Sequence, residues 1–207
     1  QCAVNTEPEV WQQDQLCGIS PKVAPIVPIG DTLDIYSDGL SLWPIFDCCG
    51  GVTINEVNDN GNNLLEISYD NDPNTNTVTF FQSASPADLS NFAGGTVEFD
   101  LQVLAQPTNP AANPWMMKVD CVHPCSTGDV PLDQSVEGVL PQTGVWQHYT
   151  FNINDLVARG LNLASVDAPL VIFPTWGSQD GATFRIDNVK WTKGCLLYTS
   201  PSPRDIG

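Results

Sequence analysis

Apolar and polar residues alternate most regularly in Gly95–Leu104. There Val97, Phe99, Leu101 and Val103 interleave with Thr96, Glu98, Asp100 and Gln102. Side chains two apart on a pleated strand share a face, so this pattern predicts a half-buried antiparallel strand. Val52–Asn58 and Leu64–Tyr69 read as two more strands around the turn residues Asn58–Gly61. Shorter strands are predicted from Thr32 to Tyr36, at Val78–Phe81, over Pro114–Asp120 and from Val145 to Ile153. One helical turn is expected at Leu89–Phe92 and another over Asn154–Leu161, capped by Asn152 or Asn154. Many short strands with turn residues between them and almost no helix predict an all-β fold, an antiparallel two-sheet β-sandwich of jelly-roll type.

The rest of the pattern is organised around Val171–Trp191. The apolar run Val171-Ile172-Phe173 ends in Pro174-Thr175-Trp176-Gly177, and Ser178-Gln179-Asp180-Gly181 makes a turn. From Thr183 to Lys190, apolar Phe184, Ile186 and Val189 alternate with polar residues, with one slip at Asp187-Asn188. The stretch reads as a hairpin presenting Trp176 at its loop. A rigid aromatic on a sheet scaffold suits stacking against a sugar ring, whose axial C–H face is apolar and whose rim is polar. Trp146 and Trp191 fall within alternating strands and are expected in the core. Trp43, just before Cys48-Cys49, and Trp115, at the start of a strand, join Trp176 as candidate platforms. Buried hydroxyls need partners, and Asp47, Lys118 and Gln179 are the candidates; Arg185 serves either as a partner or as a structural ion pair.

Charge narrows the ligand class. Seven Lys and Arg stand against 24 Asp and Glu, a net charge of -17, which repels nucleic-acid phosphates and anionic lipid. No run approaches the roughly 20 apolar residues that span a bilayer. A neutral polysaccharide or a divalent cation fits this surface better. With 42% hydrophobic and 15% charged residues, the chain has a core to bury and is not an acidic disordered tail.

Seven cysteines suggest an oxidising compartment and an extracellular, secreted protein. Cys2 and Cys17 flank a Pro-terminated segment, residues 1–28, expected as a linker or stapled cap. The sandwich is assigned to residues 29–194. Residues 195–207, with the unmatched Cys195, are expected to be a non-native tail, and the whole to be a mature chain or a piece of a longer precursor. Cys48 and Cys49 form a vicinal disulfide or each pair elsewhere, and Gly50-Gly51 after them marks a tight bend. Cys121 and Cys125, with His123 between them, form a disulfide or half of a zinc site that lacks two further ligands.

For glycoside cleavage, two carboxylates at fixed separation are needed. Glu98-Phe99-Asp100 approaches the acidic strand of laminarinase-type jelly rolls, but the third carboxylate position falls on Val103 or Gln102, and the match fails.

From Asp34 to Trp191 the chain resembles the C-terminal β-sandwich module of secreted exo-β-glucanases of glycoside hydrolase family three. The matching residues are Tyr36-Ser37-Asp38, Trp43-Pro44, Phe46-Asp47-Cys48-Cys49-Gly50-Gly51, Trp115 and Lys118. Gly144-x-Trp146-x-x-Tyr149, Ile172-Phe173-Pro174-x-Trp176-Gly177 and Phe184-Arg185-Ile186-Asp187-Asn188-Val189 complete them. The resemblance implies a galactose-binding-like fold and, at Asp187, a structural calcium. Asp34 and Asp38 join Asp187 if the first and last strands are neighbours. The catalytic domains of that family are absent. The expected function is therefore a non-catalytic carbohydrate-binding module, attached to a polysaccharide-degrading catalytic domain and binding β-glucan. A divergent jelly-roll hydrolase using Glu98 and Asp100, and a spacer packed on a catalytic domain, are the alternatives.

Overall fold

The computed structural model describes residues 27–194, apart from 40, 42, 109–113 and 178. The Cys2–Cys17 staple and the expected tail at 195–207 lie outside the described residues.

Among the described residues, eleven strands form two antiparallel sheets. In chain order they are β1 (Thr32–Tyr36), β2 (Ile45–Asp47), β3 (Val52–Asp59), β4 (Asn62–Tyr69), β5 (Thr79–Phe81), β6 (Thr96–Ala105), β7 (Trp115–Cys121), β8 (Val130–Pro131), β9 (Trp146–Asn152), β10 (Val166–Pro174) and β11 (Thr183–Thr192). One sheet runs β3-β4-β11-β6-β9, and β1 also pairs with β11; the other runs β2-β5-β10-β7-β8. First and last strands are indeed neighbours. The short helix α1 (Ile153–Ala158) follows β9, with Asn152 at its N-cap position. The turn at Leu89–Phe92 is a 3₁₀ turn over Ser90–Phe92.

The stretch from Val171 to Trp191 is two strands, but not a hairpin. β10 lies in the five-stranded sheet between β5 and β7, and β11 lies in the other sheet between β6 and β4. The Trp176 loop therefore crosses from one layer to the other. Periodicity identifies a strand and says nothing of its partner, because pairing is decided by which faces meet across the core.

The core fills the space between the sheets. Val97, Phe99, Leu101 and Val103 of β6 all face it, as the alternation predicts. Phe99 stacks between Tyr149 and Phe151 of β9, with ring centroids 5.5 and 6.2 Å away. The slip at Asp187-Asn188 is a bulge. Asp187 opposes Asp100 and Lys190 opposes Glu98, so Asn188 and Val189 share the single place opposite Phe99. Asn188 takes a positive φ of 50° there, a conformation that Asn tolerates better than most residues. The extra residue keeps both Asp187 and Lys190 on the outer face while Val189 enters the core.

Trp191 is buried as expected, its indole N–H donating to the Pro169 carbonyl at 3.1 Å. Trp146 corrects the expectation. It is 38% exposed, because Tyr149 and Phe151 of β9 face inward and the opposite phase of the strand, Trp146, His148 and Thr150, faces out.

Tyr149 is fully buried, and its hydroxyl has no hydrogen-bond partner among the described residues. A buried hydroxyl without a partner loses its hydration and gains nothing in return. Tyr149→Phe is accordingly expected to stabilise the fold by about 1 kcal/mol, read as a higher urea midpoint at unchanged slope; a lower midpoint contradicts this.

Candidate functional site

β10 is buried along nearly its whole length, because both of its faces are covered. Leu170 and Ile172 point into the sandwich, and Val171 and Phe173 point away from it, into a second apolar cluster with Val78, Ala168, Phe80 and Met116. Strand register extends this outer cluster into a band. Phe46 of β2 opposes Phe80 of β5, Phe80 opposes Val171 of β10, and Val171 opposes Lys118 of β7. One pleat further along, Phe173 opposes Met116.

Both ends of the band are open. Phe46 is 45% exposed and packs on Phe80, ring centroids 5.9 Å apart. At the other end Trp176 is 43% exposed and rests on Phe173, centroids 4.9 Å apart. Strand spacing puts the backbone of Phe46 roughly 12 Å from that of Phe173, a length suited to a short oligosaccharide rather than one sugar.

Trp176 is held in place by its surroundings. Its indole N–H donates to Asp129 Oδ2 at 2.8 Å, and the Gly177 N–H donates to Asn76 Oδ1 at 3.1 Å. Gly177 has a φ of 77°, which lets the chain turn sharply behind the indole without a Cβ penalty. Beneath the loop, Gln179 is fully buried: its Oε1 accepts from the Thr77 N–H at 2.7 Å and its Nε2 donates to the Pro174 carbonyl at 2.8 Å. The polar edge of the band is Lys118, which forms a 3.1 Å ion pair with Asp120 while staying partly exposed.

These positions sort the predicted residues. Trp176 and Lys118 lie on one face, open to a ligand. Gln179 does not; both ends of its amide are occupied inside the protein, and it braces the Trp176 loop. Trp43 and Trp115 are each 2% exposed, so neither offers a ring face. Trp115 packs edge-on against Phe184 and donates its N–H to Gln106 Oε1 at 2.9 Å. Asp47 accepts from the Gly50 N–H at 2.6 Å and so closes the turn that carries the Cys48–Cys49 disulfide. Gly50 and Gly51 take φ values of 82° and 79° in that bend. Cys121 and Cys125 are also joined, which leaves no thiolate there for zinc. Arg185 is a structural ion pair, 2.9 Å from Glu66 and 3.3 Å from Asp59, on the other sheet. Phe46 is the residue that sequence reasoning missed; its three-residue strand shows no period, and only its register with Phe80 places it on this face.

The calcium set comes only partly together. Asp187 accepts from the Asp38 N–H at 3.4 Å, the Asn188 N–H at 2.8 Å and Asn62 Nδ2 at 2.8 Å. Asp38 accepts from the Asn63 N–H, and Asp34 stands opposite Lys190. Calcium needs six to eight oxygens, whereas the Asp187 oxygens are filled by N–H donors, and no metal-holding cluster of three or more His, Cys, Asp or Glu occurs among the described residues. These aspartates do not fit a calcium shell; they tie the first strand to the last. A chelator is expected to leave the melting temperature unchanged, and a fall on chelation that calcium restores contradicts this.

Glu98, the carboxylate considered for hydrolysis, is poorly suited as a general acid. Burial pushes its carboxyl up, but hydrogen bonds from Thr96 and Lys190 and the Lys190 charge outweigh burial and hold it below the ordinary value. A general acid needs the opposite shift. Glu137 behaves likewise, with burial outweighed by hydrogen bonds from Thr150. Both groups bind protons less readily folded than unfolded, so acid favours the unfolded chain. Their stabilisation is full above the ordinary glutamate value of 4.5 and is lost as the pH falls through the lower folded values. Glu98→Gln is therefore expected to flatten the acid limb of the stability curve and leave the neutral plateau shape unchanged; an unaltered acid limb contradicts this.

Comparison with known proteins agrees with the architecture. A family model described as galactose-binding domain-like, Exop_C, matches residues 64–191. No curated protein matches. Among solved structures, a family 30 carbohydrate-binding module of a cellulosomal cellulase of Clostridium thermocellum aligns at 17% identity with TM-score 0.56, covering 78% of this chain and 97% of that one. A family 11 carbohydrate-binding module from Clostridium thermocellum, in complex with a β-1,3-1,4-mixed-linked tetrasaccharide, aligns at 15% identity with TM-score 0.51, covering 79% and 95%. An exo-β-agarase aligns at 12% identity with TM-score 0.56, covering 79% of this chain and 26% of the enzyme.

Proposed function

Because the chain belongs to the galactose-binding domain-like family Exop_C, we infer that it is a non-catalytic module binding neutral β-glucan on the outer face of its five-stranded sheet. The observation that carries this reading is the apolar band with Phe46 and Trp176 open at its two ends. Pyranose rings lie flat on these aromatics, and Lys118 and Asp120 at the edge receive the hydroxyls. The tetrasaccharide bound by the family 11 module supports a mixed-linkage glucan as the first ligand to try.

The module serves a catalytic domain on the same polypeptide by raising its concentration at the polysaccharide; the agarase, of which the matched part is 26%, is an example of this fold within a longer enzyme. The two disulfides among the described residues and the acidic composition support an extracellular setting. Affinity electrophoresis of the chain in laminarin, mixed-linkage glucan and agar tests the reading. Retardation without release of reducing ends is expected in a glucan gel. Unretarded migration in all three leaves a spacer, and reducing-end release abolished in Glu98→Gln makes the chain a hydrolase.

A further inference from the structure

The outer face of the six-stranded sheet is polar along β6 and β11. On β6, Glu98, Asp100 and Gln102 face out; on β11, Arg185, Asp187 and Lys190 do the same. Trp146 stands among them on β9, directly opposite Gln102. It lies outside the core cluster, so folding gains little from an indole at this place. A lone exposed aromatic is ordinary on a protein surface; this one matters because it borders a depression lined by polar groups that hold one another in place.

Beside Trp146 lies a depression of about 400 Å³, lined by His148, Asp100, Asp187, Asn188 and Asn62. That volume falls within the range of small-ligand pockets, about 300–1,000 Å³. The lining groups are fixed by one another. His148 Nδ1 lies 2.7 Å from Asp100 Oδ1, and Asn188 Nδ2 donates to Asp100 Oδ2 at 2.7 Å. Asn62 holds Asp187 from the other side at 2.8 Å. The Asn188 side chain reaches Asp100 only because the bulge turns it out of the regular alternation.

We propose that this depression is a second saccharide site, for a single neutral pyranoside that stacks on Trp146 and places vicinal hydroxyls against His148, Asp100 and Asn188. The chemistry selects that class. The carboxylates of the lining repel a phosphate or a uronate, and they are already engaged by His148, Asn188 and Asn62, which leaves no bare charge to draw a cation. The Asn188 Oδ1 accepts from Ser37 at 3.2 Å. What remains for hydroxyls is the second Asn188 N–H, the spare lone pairs of the Asp100 oxygens and His148 Nε2, all at the exposed surface. The band on the other sheet is long and apolar; this site is compact and polar, and it ends at the edge strand β9. Its occupant is a chain end or a single sugar rather than the middle of a polymer. With two sites on opposite faces, one module can bridge two glycan chains. The second site takes its ligand class from its own residues and does not rest on the first.

Indole N–H resonances of the intact chain in ¹H–¹⁵N spectra separate the two sites. Trp146→Ala and Trp176→Ala each assign one resonance by its loss. Methyl β-glucoside, methyl β-galactoside and a β-1,3-1,4-linked tetrasaccharide are then titrated in turn. The Trp146 resonance is expected to move saturably with at least one methyl glycoside, to do so equally in Trp176→Ala, and Trp146→Ala is expected to weaken that binding at least tenfold. A Trp146 resonance that stays still with all three sugars overturns the second site, and so does one whose movement disappears in Trp176→Ala. Movement of Trp176 alone leaves the first reading standing; movement of Trp146 alone leaves only the second.

Discussion

Replacing Trp191 by alanine is expected to cost about 3–5 kcal/mol, the largest stability loss of any single substitution considered. Its side chain is fully buried at the end of β11, edge-on to Phe92 with centroids 6.2 Å apart and hydrogen-bonded to Pro169 in the facing sheet. The substitution opens a cavity between layers that are close-packed, and it also leaves the Pro169 carbonyl without its donor. A domain of this size is stable by about 5–15 kcal/mol, so the variant should unfold at markedly lower urea while retaining the parent's slope. A loss below about 1 kcal/mol would mean that Trp191 does not join the two layers.

The second large effect is on binding. Trp176→Ala is expected to weaken glucan binding by about 2 kcal/mol, roughly thirtyfold in Kd, from the apolar area that a stacked sugar no longer covers. Its stability cost should be small by comparison, because the indole is already 43% exposed. Phe46→Ala should weaken binding less, and only for ligands long enough to reach both ends of the band. The pair of variants thus measures whether the face reads length: a tetrasaccharide loses affinity in both, and a disaccharide in Trp176→Ala alone. Equal losses for both ligands in both variants, together with a lowered urea midpoint, indicate unfolding rather than a lost platform.

Much of the fold was legible because burial on one face writes itself into alternation. β6, the β3–β4 hairpin and even the bulge at Asp187-Asn188 could be read directly from residue order. Strand partnership could not, and β10 and β11 were paired by proximity in sequence although they lie in different layers. The site was half legible. Trp176 and Lys118 stand where a ligand can reach them, but Trp43 and Gln179 went inside, because loop composition does not tell which way a loop folds, and Trp115 went inside with the phase of β7 that also carries Met117 and Val119. Trp146 shows the same limit in a strand. Tyr149, Phe151 and Ile153 share one phase and His148 and Thr150 the other, so counting both phases would have turned the indole outward. Phe46 was hidden by its three-residue strand, which is too short to show a period and is aligned only by its register with Phe80.

Glucan binding by this module requires a sugar lying against Trp176 on the outer face of the five-stranded sheet. A crystal structure of the chain with a β-1,3-1,4-linked tetrasaccharide tests it most directly. The result predicted is a pyranose ring parallel to the Trp176 indole, with the chain of sugars running past the partly exposed Phe80 toward Phe46. A well-ordered tetrasaccharide bound elsewhere, with Trp176 and Phe46 untouched, contradicts it.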